Sequence, residues 1–155
     1  MTDLKTAAEQ FLNEKRVAIA GVSRNHAETA NAIYAKFLEN GYTVYPVNPA
    51  ASEVEGVKCY ASVKDIPGGV GAVFMVTTPA VSAQVARDCV DAGVKWVWMH
   101  KSFGDSVSPE AVQMLRERGV QVIPGGCPMM FLKPDGGHKA MCWMLQLFGR
   151  VPRTV

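Results

Sequence analysis

Between an apolar run and the start of a helical repeat, Val17 to Thr29 reads VAIAGVSRNHAET. The glycine, hydroxyl, arginine and histidine within Gly21-Val22-Ser23-Arg24-Asn25-His26 are residue types that hold an anion. Backbone N–H groups at a helix N-terminus point outward, and the helix dipole favours negative charge there. A phosphate is the natural guest. The dinucleotide fingerprint requires G-x-G-x-x-G and an acid closing the second strand, to hold a ribose diol. Here Ser23 takes the place of the second glycine and Asn48 ends the second strand, which weakens a NAD assignment. Ser23 Oγ, Arg24 and His26 would instead suit a ligand richer in phosphate. The same residues also read as an ordinary capped turn with Arg24 in solvent.

Periodicity says which elements must carry this turn. Leu4, Ala7, Ala8, Phe11 and Leu12 fall at helical spacing behind a Thr2 or Asp3 cap, which predicts an amphipathic N-terminal helix. VAIAGV (17–22) is a short continuous apolar run, as in a strand buried on both faces of a parallel sheet. Ala30, Ile33, Tyr34, Phe37 and Leu38 resume the helical spacing, and Gly41 closes it. The alternation then repeats. YTVYPVN (42–48), VGAVFMVTT (70–78), KWVWMH (95–100) and VQVIP (120–124) read as strands, and helices are expected over 80–92 and from Ser108-Pro109-Glu110 to Gly119. A short strand at 57–60 and a helical turn near 62–66 fill the interval after the second strand. The pattern predicts an α/β fold in one domain over 1–155: a doubly wound, mostly parallel five-stranded sheet with helices on both faces. GGCPMMFLKPDGG (125–137) reads as an ordered surface loop, and HKAMCWMLQLFG as a final helix. An exposed apolar face on that helix would favour a homo-oligomer.

In such a sheet, ligands sit beyond the C-terminal strand ends, where neighbouring connections leave to opposite faces. The candidates are therefore Gly21 to His26, Asn48 to Ala51, Thr77 to Ala80, His100 to Gly104 and Pro124 to Pro128. His100 reads either as a structural histidine or, with Lys101, as a partner for a phosphate or a thioester carbonyl. Cys127 reads as a small buried hydrophobe, or as a thiol near the reactive end of a ligand, with Asp135 and His138 in the following loop as its neighbours. Ser108 reads as a helix cap only.

Bulk composition narrows the classes. The 155 residues are 48% hydrophobic and 19% charged with net charge +2, and mean hydropathy is near zero, as in soluble globular chains. Basic residues are scattered, with Lys15-Arg16 the only adjacent pair, so a polynucleotide partner is not expected. No apolar run is long enough to suggest a membrane span and the N-terminus is charged, so the expected location is the cytoplasm. Cys59, Cys89, Cys127 and Cys142 form no Cys-x-x-Cys pair, so no metal site is expected.

GVSRN after the first strand, GYTVYPVNP, CYASVKDIP, VFMVTTPA and AGVKWVWMH together resemble the coenzyme A-binding family. Its members are small Rossmann-like proteins related to the nucleotide-binding domain of the alpha subunit of succinyl-CoA synthetase. The resemblance spans residues 15–127. It implies coenzyme A as the ligand, with Ser23, Arg24, Asn25 and His26 on the phosphate side; Asn48, Pro49 and Ala50 would border the adenosine, and Thr77, Thr78 and Pro79 would flank the pantetheine arm. The synthetases place a lysine shortly after the second strand, where Ala51 stands here, so Arg24 or Lys101 would have to substitute. The synthetase's active-site histidine belongs to a further domain, which implies binding without ligase activity. The alternatives are an NAD(P)-dependent oxidoreductase, or a thiol-dependent enzyme or redox sensor using Cys127.

Overall fold

The computed structural model describes residues 2–102, 104–132, 136–149 and 151–155. Helix α1 (Leu4–Asn13) starts where the Asp3 carboxylate accepts the Thr6 N–H at 3.1 Å. It buries Leu4, Ala7, Ala8 and Phe11, the stripe that the spacing predicts. Strand β1 (Arg16–Ala20) leads through the Gly21 turn into α2 (Thr29–Glu39), and β2 (Thr43–Val47) returns. Two short strands, β3 (Glu53–Val54) and β4 (Val57–Lys58), pair antiparallel as a hairpin. A 3-10 turn at Val63–Asp65, boxed by Ser62 and Asp65, follows. Then come β5 (Ala72–Met75), α3 (Pro79–Asp91), β6 (Trp96–Met99), α4 (Pro109–Glu117), β7 (Gln121–Pro124), a 3-10 turn at Pro128–Met130 and α5 (Gly136–Leu147).

The main sheet has the order β2-β1-β5-β6-β7, and every pair in it is parallel. Strand residues alternate strictly between two cores. Val17, Ile19, Phe74, Trp98 and Ile123 pack with α1, α2 and α5 on one face; Ala18, Ala20, Val73, Met75, Val97, Met99 and Val122 pack with α3 and α4 on the other. Burial on both faces is why these strands are continuous apolar runs with no polar alternation. Pro46 is tolerated because β2 is an edge strand: its inner neighbour is β1, and on its outer side its carbonyl accepts the Tyr60 N–H at 3.0 Å.

The start of the segment expected to be a surface loop is instead packed inside. Gly125, Gly126, Cys127 and Pro128 are all buried, because Trp98 donates its indole N–H to the Gly125 carbonyl at 2.6 Å and Val151 closes over Gly126. Apolar residues do lie exposed on and just after α5: Trp143, Met144, Leu147 and Phe148, the last 72% accessible. Among the described residues no helix is long and apolar enough to cross a membrane.

Candidate functional site

The α2 connection leaves β1 towards one face and the α3 connection leaves β5 towards the other, so the topological switch lies between β1 and β5. Gly21 stands at that point. Its φ is +104°, and a Cβ there would run into the Val76 carbonyl of the adjacent strand end. Only glycine lets the two backbones close up this tightly. The Gly21 N–H donates to the Val47 carbonyl at 3.0 Å and the Val76 N–H to the Ala20 carbonyl at 2.9 Å, which pins the turn from both sides.

On the β5 side of Gly21 opens a cleft of about 510 Å³. Its walls are Thr77, Thr78 and Pro79 at the start of α3, Val81 one turn on, and His100, Gly104, Asp105 and Ser106 from the loop after β6, with Thr29 of α2 at the far lip. The hydroxyls here are fixed by neighbours. Thr77 donates its N–H to Ser106 Oγ at 3.0 Å, and Thr77 Oγ1 shares a 2.6 Å hydrogen bond with Ser82 Oγ, which is fully buried. Thr78 caps α3 ahead of a first-turn proline. His100 is buried, and its Nε2 meets Ser102 Oγ at 2.9 Å. Burial holds its pKa below the ordinary histidine value against the opposing pull of Asp105, so the imidazole is neutral at pH 7.

On the β2 side the loop from Ser23 to Glu28 is built differently. Asn31, buried in the first turn of α2, accepts the Ser23 N–H at 3.0 Å and donates to the Ser23 carbonyl at 2.8 Å. The Asn25 N–H donates to Ser23 Oγ and the Ala27 N–H to Asn25 Oδ1. Alternate N–H groups are thus consumed within the loop. Those of Arg24, His26, Thr29 and Ala30 keep no protein partner among the described residues, and they are the backbone donors left for an anion. Asn48 ties the flank together: Nδ2 donates to the Val22 carbonyl at 3.0 Å and Oδ1 accepts the Ala50 N–H at 2.9 Å. Pro49 and Ala50 are exposed beside it, and Val22 is buried in the core.

Glu55, like Thr29 and Ser106 in the cleft wall, is a residue that the sequence reading missed. It sits with Gly56 at the tip of the β3–β4 hairpin, both at positive φ (51° and 73°), as a two-residue hairpin turn demands. The hairpin swings its carboxylate over the loop, where Oε1 accepts from Asn31 Nδ2 at 2.6 Å and meets His26 Nδ1 at 2.9 Å. The Asn31 bond, then the His26 bond, hold the Glu55 pKa below the usual carboxylate range. A signal for it existed in the Glu-Gly dipeptide between two short β-rich pairs.

Lys101 and Cys127 belong neither to the cleft walls nor to the Ser23–Glu28 loop. Lys101 pairs with Asp105 at 3.1 Å, and its backbone bridges to Gly126. Cys127 is buried in the core under α1 and α2, and burial pushes its thiol up to about 11, so it is protonated at neutral pH. Asp135 and the His138 side chain lie outside the described residues. Among the described residues no cluster of metal-ligating side chains forms.

The model of the CoA binding domain family matches residues 15–133. The chain belongs to this family. The chain is similar to the alpha subunit of ADP-forming acetate–CoA ligase II from Pyrococcus furiosus, 31% identical over 127 residues; the match takes in 77% of this chain and 28% of that subunit, so the chain spans little more than a quarter of it. The uncharacterized protein YneT of Bacillus subtilis is also 31% identical, over 77% of this chain and 86% of its own length. Among solved structures, a hypothetical protein from Pyrococcus horikoshii OT3 superimposes with a TM-score of 0.75 at 30% identity, covering 83% of this chain and 92% of that one. The chain thus matches short proteins over most of their length as well as a part of a larger ligase subunit.

Proposed function

We propose that the protein is a stand-alone coenzyme A or acyl-coenzyme A binder of the cytoplasm, working as one domain without ligase activity of its own. The observation that carries the reading is the division of the crevice at Gly21: one flank offers free backbone N–H groups with Arg24 and His26, and the other offers a cleft of fixed hydroxyls and small apolar groups whose one charged wall residue, Asp105, is already paired with Lys101. Coenzyme A is divided the same way, with a multiply phosphorylated nucleotide at one end and an uncharged pantetheine arm at the other. In this arrangement the pyrophosphate lies at Gly21 to Ser23 and the α2 N-terminus, and Asn48, Pro49 and Ala50 border the adenosine. Thr77, Thr78, Pro79 and His100 flank the arm. Membership in the CoA binding domain family supports the ligand, and the short relatives support a module that works without the rest of a ligase.

Calorimetric titration with coenzyme A, its 3′-dephospho form and NAD tests the reading. Saturable binding of coenzyme A, tighter than NAD, is expected; no binding, or a preference for NAD, overturns it. The NAD(P) alternative draws some support from Glu55, an acid that the hairpin after β2 brings to the Ser23–Glu28 loop, so NAD is the decisive competitor. The thiol alternative requires Cys127 to leave its buried, protonated state. Intact mass after exposure to coenzyme A disulfide reads it directly, with an adduct on the native protein and none on Cys127→Ala. The exposed apolar face of Trp143, Leu147 and Phe148 supports a homo-oligomer, which sedimentation at several concentrations detects.

A further inference from the structure

Glu55 is the side chain that the binding reading above leaves unused, and its setting is unusual. A glutamate in the left-handed region is uncommon, since that conformation favours glycine or asparagine. The strain places a carboxylate against a loop otherwise suited to anions. Oε1 is occupied by Asn31 Nδ2 and His26 Nδ1, whereas Oε2 has no partner among the described residues. The side chain keeps 26% of its surface open to solvent. Asn31 is itself buried at 3% exposure and locked to Ser23 through two hydrogen bonds, so the carboxylate is held in register with the loop backbone.

A carboxylate is an acceptor only, and it repels a phosphate brought within a few ångströms. The ligand group facing Oε2 must therefore be a hydrogen-bond donor. The N–H groups of Arg24 and His26, free beside it, favour phosphate. The part of coenzyme A with phosphates on either side and a donor between them is the ribose, which carries a 3′-phosphate, a 5′-pyrophosphate and one free hydroxyl at C2′. We propose that Glu55 is a specificity-determining residue for the nucleotide end: its carboxylate accepts the ribose 2′-hydroxyl while the Arg24–His26 loop faces the 3′-phosphate. The inference rests on the coenzyme A reading and extends it to the sugar. It also assigns the β3–β4 hairpin a task, carrying the acid that the end of β2 lacks.

The probes are adenosine 3′,5′-bisphosphate and its 2′-deoxy counterpart, titrated calorimetrically into the native protein and Glu55→Gln, with coenzyme A run beside them. The native protein is expected to bind the ribo form roughly ten-fold more tightly, the size of one hydrogen bond to a charged acceptor. In Glu55→Gln that ratio falls to about three-fold or less. Glu55→Asn, which suits a positive φ better but is one methylene shorter, is expected to lose the ratio as well. Equal binding of the two probes by the native protein overturns the proposal. So does a ten-fold ratio that survives in both variants while their affinities fall in parallel, because that pattern marks Glu55 as a loop support only. If coenzyme A binds and the probes are not discriminated, only the Glu55 assignment falls; if the native protein binds neither coenzyme A nor the probes, the coenzyme A reading falls with it.

Discussion

The two flanks of Gly21 solve the same problem, presenting polar groups at a strand end, in opposite ways. On the β5 side the hydroxyls of Thr77, Ser82 and Ser106 are paired with one another or with backbone, and His100 is buried and neutral. On the β2 side Arg24, Asn25, His26 and Glu28 are exposed, and the loop is held through side-chain amides and one carboxylate from a distant hairpin. The first flank is lined by paired hydroxyls, with its one carboxylate, Asp105, bound to Lys101, while the second presents exposed charged side chains. A cleft whose polar groups are already paired suits an amide-bearing arm whose ordering cost must be kept low; exposed charge suits phosphates, whose attraction acts through water and is screened by salt. The proposed division of coenzyme A between the flanks rests on this difference.

The largest effect is expected where the flanks meet. Gly21→Ala forces a Cβ into the Val76 carbonyl at a φ that side chains avoid, so it should cost on the order of 3 kcal/mol in urea unfolding and abolish binding of both ligand halves. A variant of native stability would show that the flanks are not pinned together there. The β5 flank carries a pH signature. The folded-state pKa of His100 is lowered, so below about pH 6.5, the ordinary histidine value, the unfolded chain takes up the proton first. Stability present above that pH is therefore lost as the pH falls below it, and His100→Gln should flatten this part of the unfolding profile. The smallest effect on stability belongs to the charged flank. Arg24→Ala should change stability by no more than about 0.5 kcal/mol, yet weaken coenzyme A binding roughly five-fold and reduce its dependence on salt. Unchanged affinity would place Arg24 in solvent.

Most of the scaffold was legible because its determinants are local. Continuous apolar runs marked β1, β5 and β6, the Leu4–Phe11 stripe marked α1, and Ser108-Pro109-Glu110 marked the start of α4. The Gly21 turn was legible as a tight strand-to-helix connection, and half of the N–H groups expected to face an anion proved to be spent inside the loop. What escaped depends on contacts distant in sequence. Glu55 reaches His26 across 29 positions through strands of two residues each, too short to show a period. Ser106 and Thr29 enter the cleft only because the β6 loop folds back and α2 starts at its lip. The stretch after β7 has the glycine and proline content of a surface loop, and its burial rests on Trp98 and Val151, which no local pattern reports.

The division between the flanks can be read residue by residue. In amide-resolved NMR titrations of the native protein, adenosine 3′,5′-bisphosphate should shift Ser23 to Ala30, Asn48 and Glu55 and leave the cleft unmoved, and pantetheine should shift Thr77, Thr78, His100 and Ser106. Coenzyme A should shift both sets together, with Gly21 responding as well. Shifts of both halves on one flank, or no response at Gly21 to the full ligand, would contradict a crevice divided at the β1–β5 switch.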